Sequence, residues 1–401
     1  MSSWIETEIG TIPANWKIGS LGEICELLTD GAHLSPKPQK SDFYMASVKD
    51  MRYNYFDFKE CKTISEEDFQ KLLLNNCSPK YGDILLSKDG ANCLDLIFVY
   101  KQPETIVLLS SIAIARLKDG YDPDFYRYIL LSPNIQYLMR NNYVSGSAIP
   151  RVILKDFKNV PVPILGLTEQ KAIAEILSSL DDKIDLLHRQ NQTLESLAQT
   201  LFRQWFIEEA KEEWEEKPLS KIADFLNGLA CQKFPPQNDI EKLPVLKIKD
   251  LKDGISENSD YATSDVKPEY IVNNGDVIFA WSASLMVKIW DGEQCVLNQH
   301  LFKVTSKDFP KWFYYHWCKY HLDNFIAISS AHATTMGHIK RGDLDEAMCV
   351  IPSNEELVKM DDEISPIFEK IETNSRQIKS LEKMRDTLLP KLLSGEVRVK
   401  I

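Results

Sequence analysis

The chain carries the same ordered set of short motifs twice, at an offset that stays between 187 and 200 residues. The matched pairs are Trp16 with Trp214, Leu21 with Leu219, Ile24 with Ile222, Val48–Met51 with Ile248–Leu251, Gly82–Ile84 with Gly275–Val277, and Pro123–Tyr126 with Pro310–Phe313. Each half then ends in a helical stretch, where Lys183–Phe202 aligns without a gap to Lys370–Leu389 and eight of twenty positions are identical. This doubling predicts two copies of a globular module, each followed by a long helix, with pseudo-twofold symmetry and two equivalent working surfaces.

Composition limits the class of protein without identifying it. The 401 residues, 44% of them hydrophobic, are enough for two or three cores. The net charge of −12 at first argues against a nucleic-acid partner, but the acidic excess is concentrated in residues 169–217, so the modules can still present a basic face. The eight cysteines include no Cys-x-x-Cys pair, and no apolar run reaches the roughly 18–20 residues of a membrane span. These features predict a cytoplasmic protein with reduced cysteines and no membrane partner.

Each module is predicted to mix strands and helices. Strands are expected within Gly82–Ser87 and Thr105–Lys118, and a helix over Pro123–Arg140; the second module repeats them over Gly275–Ala280, Cys295–Ser306 and Pro310–Ile326. The last helix is rich in aromatic residues, which favours core and subunit packing over a base-stacking platform because of their helical spacing.

The two long helices carry matching apolar seams. Thr168 is the expected N-cap of the first helix, and Pro366 is expected to mark a restart of the second. The first seam comprises Ile173, Leu177, Leu180, Ile184, Leu187, Asn191 and Leu194. The second comprises Ile364, Ile367, Ile371, Asn374, Ile378, Leu381 and Leu388, with Arg385 interrupting it. The heptad spacing and the asparagine in each seam favour an intramolecular coiled coil over two separate amphipathic helices. An antiparallel pair is expected because a globular module must fit between the end of the first helix and the start of the second.

Sequence motifs of catalysis are absent. The chain has no phosphate-binding loop, no Gly-x-Gly-x-x-Gly, no His-Glu-x-x-His and no Asn/Asp-Pro-Pro-Tyr/Phe signature. Asp83 with Lys88, or Asp276 with Lys288, could suggest a nuclease, but neither pair has a second acidic residue at close spacing. The sequence therefore predicts no catalytic residue, metal ligand or cofactor on this chain.

A polar, basic loop recurs at the end of each module. The candidate DNA contacts of the first module are Lys88, Ser145, Ser147, Arg151 and Lys155. Those of the second are Thr334, Thr335, His338, Lys340 and Arg341. Small polar residues let backbone amides approach phosphate, and Arg or Lys can bind phosphates or guanine edges. Either loop alone could be a solvated turn, but its recurrence favours the functional interpretation.

The ordered motifs resemble those of the specificity (S) subunits of type I restriction–modification systems, over nearly the whole length. The motifs that carry the resemblance are Glu8–Pro13 with Trp16, Gly82–Ser87, Glu169–Leu177, Leu180–Ile184, Asn191–Phe206, Asn298–His300, Thr335–Ile339 and Arg385–Gly395. The family's fold is α+β, with two pseudo-repeated α/β target recognition domains separated by two long antiparallel coiled-coil helices. Here it implies recognition domains at 1–165 and 213–352, and helical spacers at 166–212 and 353–401.

The resemblance also implies function and partners. Each recognition domain would read one half of a bipartite target in double-stranded DNA. The helices would set the spacing and dock two methyltransferase (M) subunits, which bind S-adenosylmethionine and methylate adenine; restriction (R) subunits, which use ATP and Mg²⁺, would join them. The alternatives are a two-headed, non-catalytic protein scaffold with a coiled-coil spacer, and a stand-alone endonuclease.

Overall fold

The computed structural model describes residues 4–146, 149–331 and 337–399. These residues form two compact units. Unit 1 contains the residues up to Ile184 and those from Ser380 onward, and unit 2 is Asp185–Lys379. Both units mix strands and helices, which confirms the α+β class.

Unit 1 is built on a four-stranded antiparallel sheet and a three-stranded mixed sheet. Its strands are β1 (Trp4–Thr7), β2 (Gly10–Pro13), β3 (Lys17–Ser20), β4 (Cys25–Asp30), β5 (Tyr44–Ala46), β6 (Lys62–Thr63), β7 (Ile84–Ser87), β8 (Ile97–Val99), β9 (Val107–Leu108), β10 (Ile112–Leu117), β11 (Val144–Ser145), β12 (Arg151–Val152) and β13 (Pro161–Ile164). Its shorter helices are α1 (Leu21–Ile24), α2 (Glu66–Leu74), α3 (Pro123–Leu131), α4 (Pro133–Asn142) and α5 (Leu154–Phe157). The strand orders are β4-β10-β7-β8 and β6-β5-β9, and β5 and β9 run parallel.

The predicted helix over Pro123–Arg140 is two helices. Ser132 has an extended backbone (φ −65°, ψ 142°) between α3 and α4. The residue before a proline is pushed out of the helical region, so Pro133 ends one helix and begins the next.

The first long helix, α6, is Leu167–Arg203, followed by a short π-helical turn at Gln204–Glu208. The prediction that Thr168 is the N-cap was wrong, because the helix already begins at Leu167. The amides of Glu169 and Gln170 donate to the carbonyl of Gly166, which precedes the helix.

Unit 2 repeats the architecture of unit 1. Its strands are β14 (Glu215–Pro218), β15 (Asp224–Asn227), β16 (Lys242–Leu246), β17 (Tyr261–Thr263), β18 (Ile271–Val272), β19 (Val277–Ala280), β20 (Met286–Ile289), β21 (Cys295–Leu297), β22 (Leu301–Thr305) and β23 (Met348–Ile351). Its shorter helices are α7 (Leu219–Ile222), α8 (Ile248–Asp253), α9 (Lys311–Tyr320), α10 (Leu322–Ala331) and α11 (Arg341–Glu346). The sheet β15-β22-β19-β20 matches β4-β10-β7-β8, and the parallel pair β16 and β21 matches β5 and β9.

The second long helix, α12, runs without interruption over Asn354–Leu393. The predicted restart at Pro366 was therefore wrong. The proline is exposed, and Ile364 and Ile367 on either side of it pack into the core of unit 2. Their burial holds the helix through a residue that removes one of its hydrogen bonds. No described helix is both long and apolar enough to cross a membrane.

The long helices pair antiparallel within each unit. In unit 2, Asn374 Nδ2 donates to Asn191 Oδ1 at 2.9 Å, and Asn191 Nδ2 donates to Ser375 Oγ at 3.2 Å. In unit 1, Arg385 pairs with Asp181 at 3.1 Å. Every one of the predicted seam residues lies buried or half-buried along these helices.

A tryptophan and a glutamate join module and helix in each unit. Trp16 Nε1 donates to Glu169 at 3.3 Å in unit 1, and Trp214 Nε1 donates to Glu356 at 3.0 Å in unit 2. Glu169 also pairs with Arg398 at 3.0 Å. Hydrogen bonds from Lys211 and Ser353 lower the pKa of Glu356 to about 2. The repeat therefore extends to the contacts that orient each helix on its own module.

Unit 1 has a buried ionic network where its module meets the helices. Asp181 accepts hydrogen bonds from Tyr128 Oη at 2.7 Å, Arg127 Nη1 at 3.1 Å, Arg385 Nη1 at 3.1 Å and Tyr53 Oη at 3.3 Å. The Arg127 guanidinium also lies over the rings of Tyr53 and Tyr128. Arg385, which interrupts the apolar seam of α12, thus joins that helix to the network.

Candidate nucleic-acid interface

In unit 1, three chain segments meet at the end of the four-stranded sheet. The loop after β7 pairs with the hairpin of β11 and β12 through an antiparallel bridge between Asp89 and Arg151. The amide of Val152 donates to the carbonyl of Lys88, and the amide of Gly90 donates to that of Pro150, both at 2.9 Å. These bonds fix the backbone of Arg151 against the loop.

The side chains at this edge form a chain in which basic and acidic residues alternate. Arg151 Nε pairs with Asp89 at 3.1 Å, and Asp89 lies 3.6 Å from the Lys88 ammonium. Lys88 pairs with Asp30 at 2.9 Å, and Asp30 pairs with His33 at 3.2 Å. The two ends are exposed, Arg151 at 62% and His33 at 76%, while the three groups between them are largely covered. We name these five side chains the ionic edge of unit 1.

The structure separates the predicted contacts of unit 1. Ser145, Arg151 and Lys155 are exposed. Lys88 is not: only 6% of its side chain is exposed, and its ammonium lies between two carboxylates. Its prediction as a DNA contact is therefore corrected to that of an internal counter-ion. Ser147 lies outside the described residues.

Unit 2 forms the same edge from equivalent backbone. Ser282 and His338 make the antiparallel bridge, the amide of Ile339 donates to the carbonyl of Trp281 at 3.1 Å, and the amide of Ala283 donates to that of Gly337 at 2.9 Å. Residue for residue, these hydrogen bonds match those around Asp89 and Arg151. The edge is therefore a feature of the repeat.

The side chains of this second edge are hydroxyl, amide and aromatic groups, with no lysine, arginine or carboxylate among them. Trp281 Nε1 donates to Asn227 Oδ1 at 3.1 Å, where unit 1 has the Lys88–Asp30 ion pair. Ser282 Oγ lies 3.2 Å from His300 Nδ1, and the Trp281 ring is 6.3 Å from that of His338. We name Asn227, Trp281, Ser282, His300 and His338 the polar edge of unit 2.

Three of the five predicted contacts of unit 2 lie on or beside the polar edge. His338, Lys340 and Arg341 are exposed, and Arg341 Nη2 donates to the carbonyl of Phe225 at 3.5 Å. Thr334 and Thr335 lie outside the described residues.

Sequence reasoning missed the acceptors at the base of each edge, Asp30 and Asn227. A signal was present: each is followed by a glycine, Gly31 or Gly228, at a comparable offset. A Cβ at either glycine would lie 2.2 Å from a backbone oxygen of the neighbouring chain segment, so only glycine fits. The doubled Asx-Gly pair therefore marks the strand end on which each edge is built.

The nuclease candidates are engaged in structural ion pairs. Asp83 accepts two hydrogen bonds from Arg116, at 2.9 and 2.8 Å, and Asp276 pairs with Lys303 at 2.7 Å. Within the ranges described, no group of three or more His, Cys, Asp or Glu residues could hold a metal ion.

Comparison with known proteins identifies the family. The model of the type I restriction modification DNA specificity domain matches residues 13–196 and again 211–383. The chain is 28% identical to the MjaIX specificity subunit of Methanocaldococcus jannaschii, over 98% of this chain and 96% of that protein. It is 23% identical to the MjaVIII specificity subunit of the same organism, over 97% and 94%.

A solved structure supports the fold. The crystal structure of a type I restriction–modification S subunit from M. genitalium superposes with a TM-score of 0.58 at 14% identity, over 96% of this chain and 97% of that one. The chain belongs to the family of type I restriction–modification DNA specificity subunits, with two target recognition domains. The predicted resemblance is confirmed.

Proposed function

We propose that this chain is the DNA sequence-recognition subunit of a type I restriction–modification complex, in which each module reads one half of a bipartite target. The observation that carries the proposal is the recurrence of one backbone edge in both modules with different side chains on it. A fixed frame with variable polar groups suits a reader of base edges. The membership of the family supports it independently.

The proposed contacts are the exposed members of the two loops. They are Ser145, Arg151 and Lys155 in the first module and His338, Lys340 and Arg341 in the second. We also propose Ser147, Thr334 and Thr335, which lie outside the described residues. We assign the modules to residues 1–165 and 213–352, and the helical parts to 166–212 and 353–401.

The long helices are proposed to set the spacing of the modules and to dock two methyltransferase subunits, which restriction subunits join. Leu186 and Leu197 of α6 support this role, since 40% and 46% of their surfaces are exposed. They are 11 residues apart, which places them within about 20° of each other around the helix. Two exposed leucines on one face give that face apolar surface that a protein partner can cover. S-adenosylmethionine would bind to the methyltransferase subunits, and ATP with Mg²⁺ to the restriction subunits.

The first experiment maps N6-methyladenine at base resolution in DNA from cells that express this chain with its methyltransferase subunit. We expect a split motif, with two short specific blocks around a gap of fixed length. A complex that assembles but methylates no split motif would favour the scaffold alternative.

Docking is tested with Leu186→Asp combined with Leu197→Asp. A charge on each exposed leucine should weaken binding of the methyltransferase subunits at least about tenfold, because central apolar contacts dominate interfaces. Binding is measured by titration of the purified subunits and by the mass of the eluted complex. Gln192→Asp with Gln199→Asp places the same charges on another exposed face of α6 and should leave binding unchanged. Equal binding by both double variants would rule out this docking face.

A further inference from the structure

The guanidinium of Arg151 is held by only one of its three nitrogens. Nε donates to Asp89, and the backbone on both sides of Arg151 is hydrogen-bonded to the loop after β7. Among the described residues, neither Nη1 nor Nη2 donates a hydrogen bond. Both terminal nitrogens therefore remain available as a planar pair of donors. That pair matches the O6 and N7 acceptors that guanine presents in the major groove.

Asp89 also contacts a second cation, Lys88, besides Arg151. Its carboxylate faces the Lys88 ammonium, which is paired in turn with Asp30. Two carboxylates thus balance Lys88 and Arg151, so the largely covered part of the ionic edge needs no DNA phosphate to neutralise it. An arginine held in this way differs from one that is drawn to the DNA backbone by charge alone, because its plane and direction are set before DNA arrives.

The polar edge of unit 2 lacks this arrangement. Ser282 stands at the position of Asp89 and His338 at that of Arg151, and Trp281 with Asn227 replaces the ion pair behind them. A neutral hydroxyl cannot fix a cation as Asp89 does. A guanidinium paired with a carboxylate at this position is therefore found in the first module and not at the equivalent Ser282 and His338 of the second.

We propose that Arg151 determines specificity in the first half-site by reading one guanine, and that Asp89 is its positioning residue. This inference rests on the proposed function, because it requires that the first module reads a DNA block.

The test measures methyl transfer by the assembled complex on duplexes in which each base pair of the first block is replaced in turn. In the wild type, we expect one position where guanine is required. Arg151→Lys keeps the positive charge but removes the planar pair of nitrogen donors. The preference for guanine at that position should therefore fall by roughly 5- to 150-fold, the range of one bidentate contact. Preferences at the other positions and in the second block should persist, and these also show that the variant is folded.

Asp89 is tested at the same position. Asp89→Ala should reduce the guanine preference, whereas Asp89→Asn, which retains an oxygen acceptor for Nε, should restore part of it. If Asp89 only stabilised the fold, its replacement would change the preferences at more than one base position. Ser282→Ala, the equivalent change in unit 2, should leave the first block unaffected.

The outcomes separate the two proposals. A wild-type complex without a split motif contradicts the proposed function. A split motif whose first block contains no required guanine, or whose guanine preference survives Arg151→Lys, overturns the inference alone. An equal loss on all duplexes overturns it as well, because it would identify Arg151 as a phosphate contact.

Discussion

The junction between module and helix is ionic in unit 1 and aromatic in unit 2. Asp181 collects two guanidinium groups and two tyrosine hydroxyls in unit 1. At the repeat offset of 187 residues, its position in unit 2 is taken by Phe368, whose ring packs 6.0 Å from that of Tyr315 and 5.6 Å from that of His316. Equivalent positions of the repeat therefore carry a different chemistry in the two junctions.

The two arginine partners of Asp181 change with it, whereas Tyr128 is kept as Tyr315. Arg385 corresponds to Ala198, which is buried, and Arg127 corresponds to Tyr314. Charged groups in the interior are favourable only in complete sets, since each loses its hydration. The comparison teaches that the repeat has diverged by whole groups of contacting residues, as it has in the ionic and polar edges.

The largest expected effect comes from breaking the ionic junction. Asp181→Ala would leave Arg127 and Arg385 without their shared carboxylate, and removal of one partner from a buried pair costs about 3–5 kcal/mol. Hydrogen exchange should therefore lose protection in the parts of α6 and α12 that belong to unit 1. Asp182→Ala removes the exposed neighbouring carboxylate and serves as the control.

A second experiment replaces the ionic residues of the unit 1 junction with their counterparts from unit 2. Asp181→Phe together with Arg127→Tyr and Arg385→Ala should recover most of the stability lost in Asp181→Ala, because well-packed apolar groups often replace a buried ionic set without loss. A triple variant as unstable as Asp181→Ala would show that the two junctions differ in backbone as well as in side chains.

The repeat, the strands of the main sheets and the long helices were predictable because they depend on local periodicity and on motifs that recur in order. The pairing followed from the matching seams, and its antiparallel direction followed from the globular module that must fit between the two helices. The uninterrupted α12 was not predictable, because the packing of Ile364 and Ile367 that outweighs the effect of Pro366 involves residues distant in sequence.

The ionic edge and the polar edge were predictable only in part. The loop that carries Arg151 could be found because it recurs in both modules. The burial of Lys88 could not, since its partner Asp30 lies on β4, far from it in the chain. A lysine in a loop has the same local sequence signal whether it faces solvent or a carboxylate.

The two junctions should also differ, by a smaller free energy, in how their stability depends on pH. His316 is buried beside Phe368, and burial lowers its pKa from 6.5 to about 4. Its counterpart in unit 1 is Ile129, which does not titrate. Above pH 6.5, His316 is neutral in both the folded and the unfolded chain, and the fold has its full stability. As the pH falls towards 4, the unfolded chain binds a proton that the folded chain does not, so the fold loses stability. The free energy of unfolding of unit 2 should therefore fall by about 3 kcal/mol over that interval from this residue.

His316→Ile gives unit 2 the residue of unit 1 and should remove most of this pH dependence. Urea unfolding followed by tryptophan fluorescence reports mainly on unit 2, which contains six of the eight tryptophans. His33→Gln changes an exposed histidine of unit 1 and should leave the pH profile of unit 2 unchanged. If His316→Ile loses as much stability as the wild type between pH 6.5 and 4, the acid sensitivity of unit 2 arises from other groups. The aromatic junction would then be no more sensitive to pH than the ionic one, and the contrast between the two junctions would be confined to salt bridges and packing.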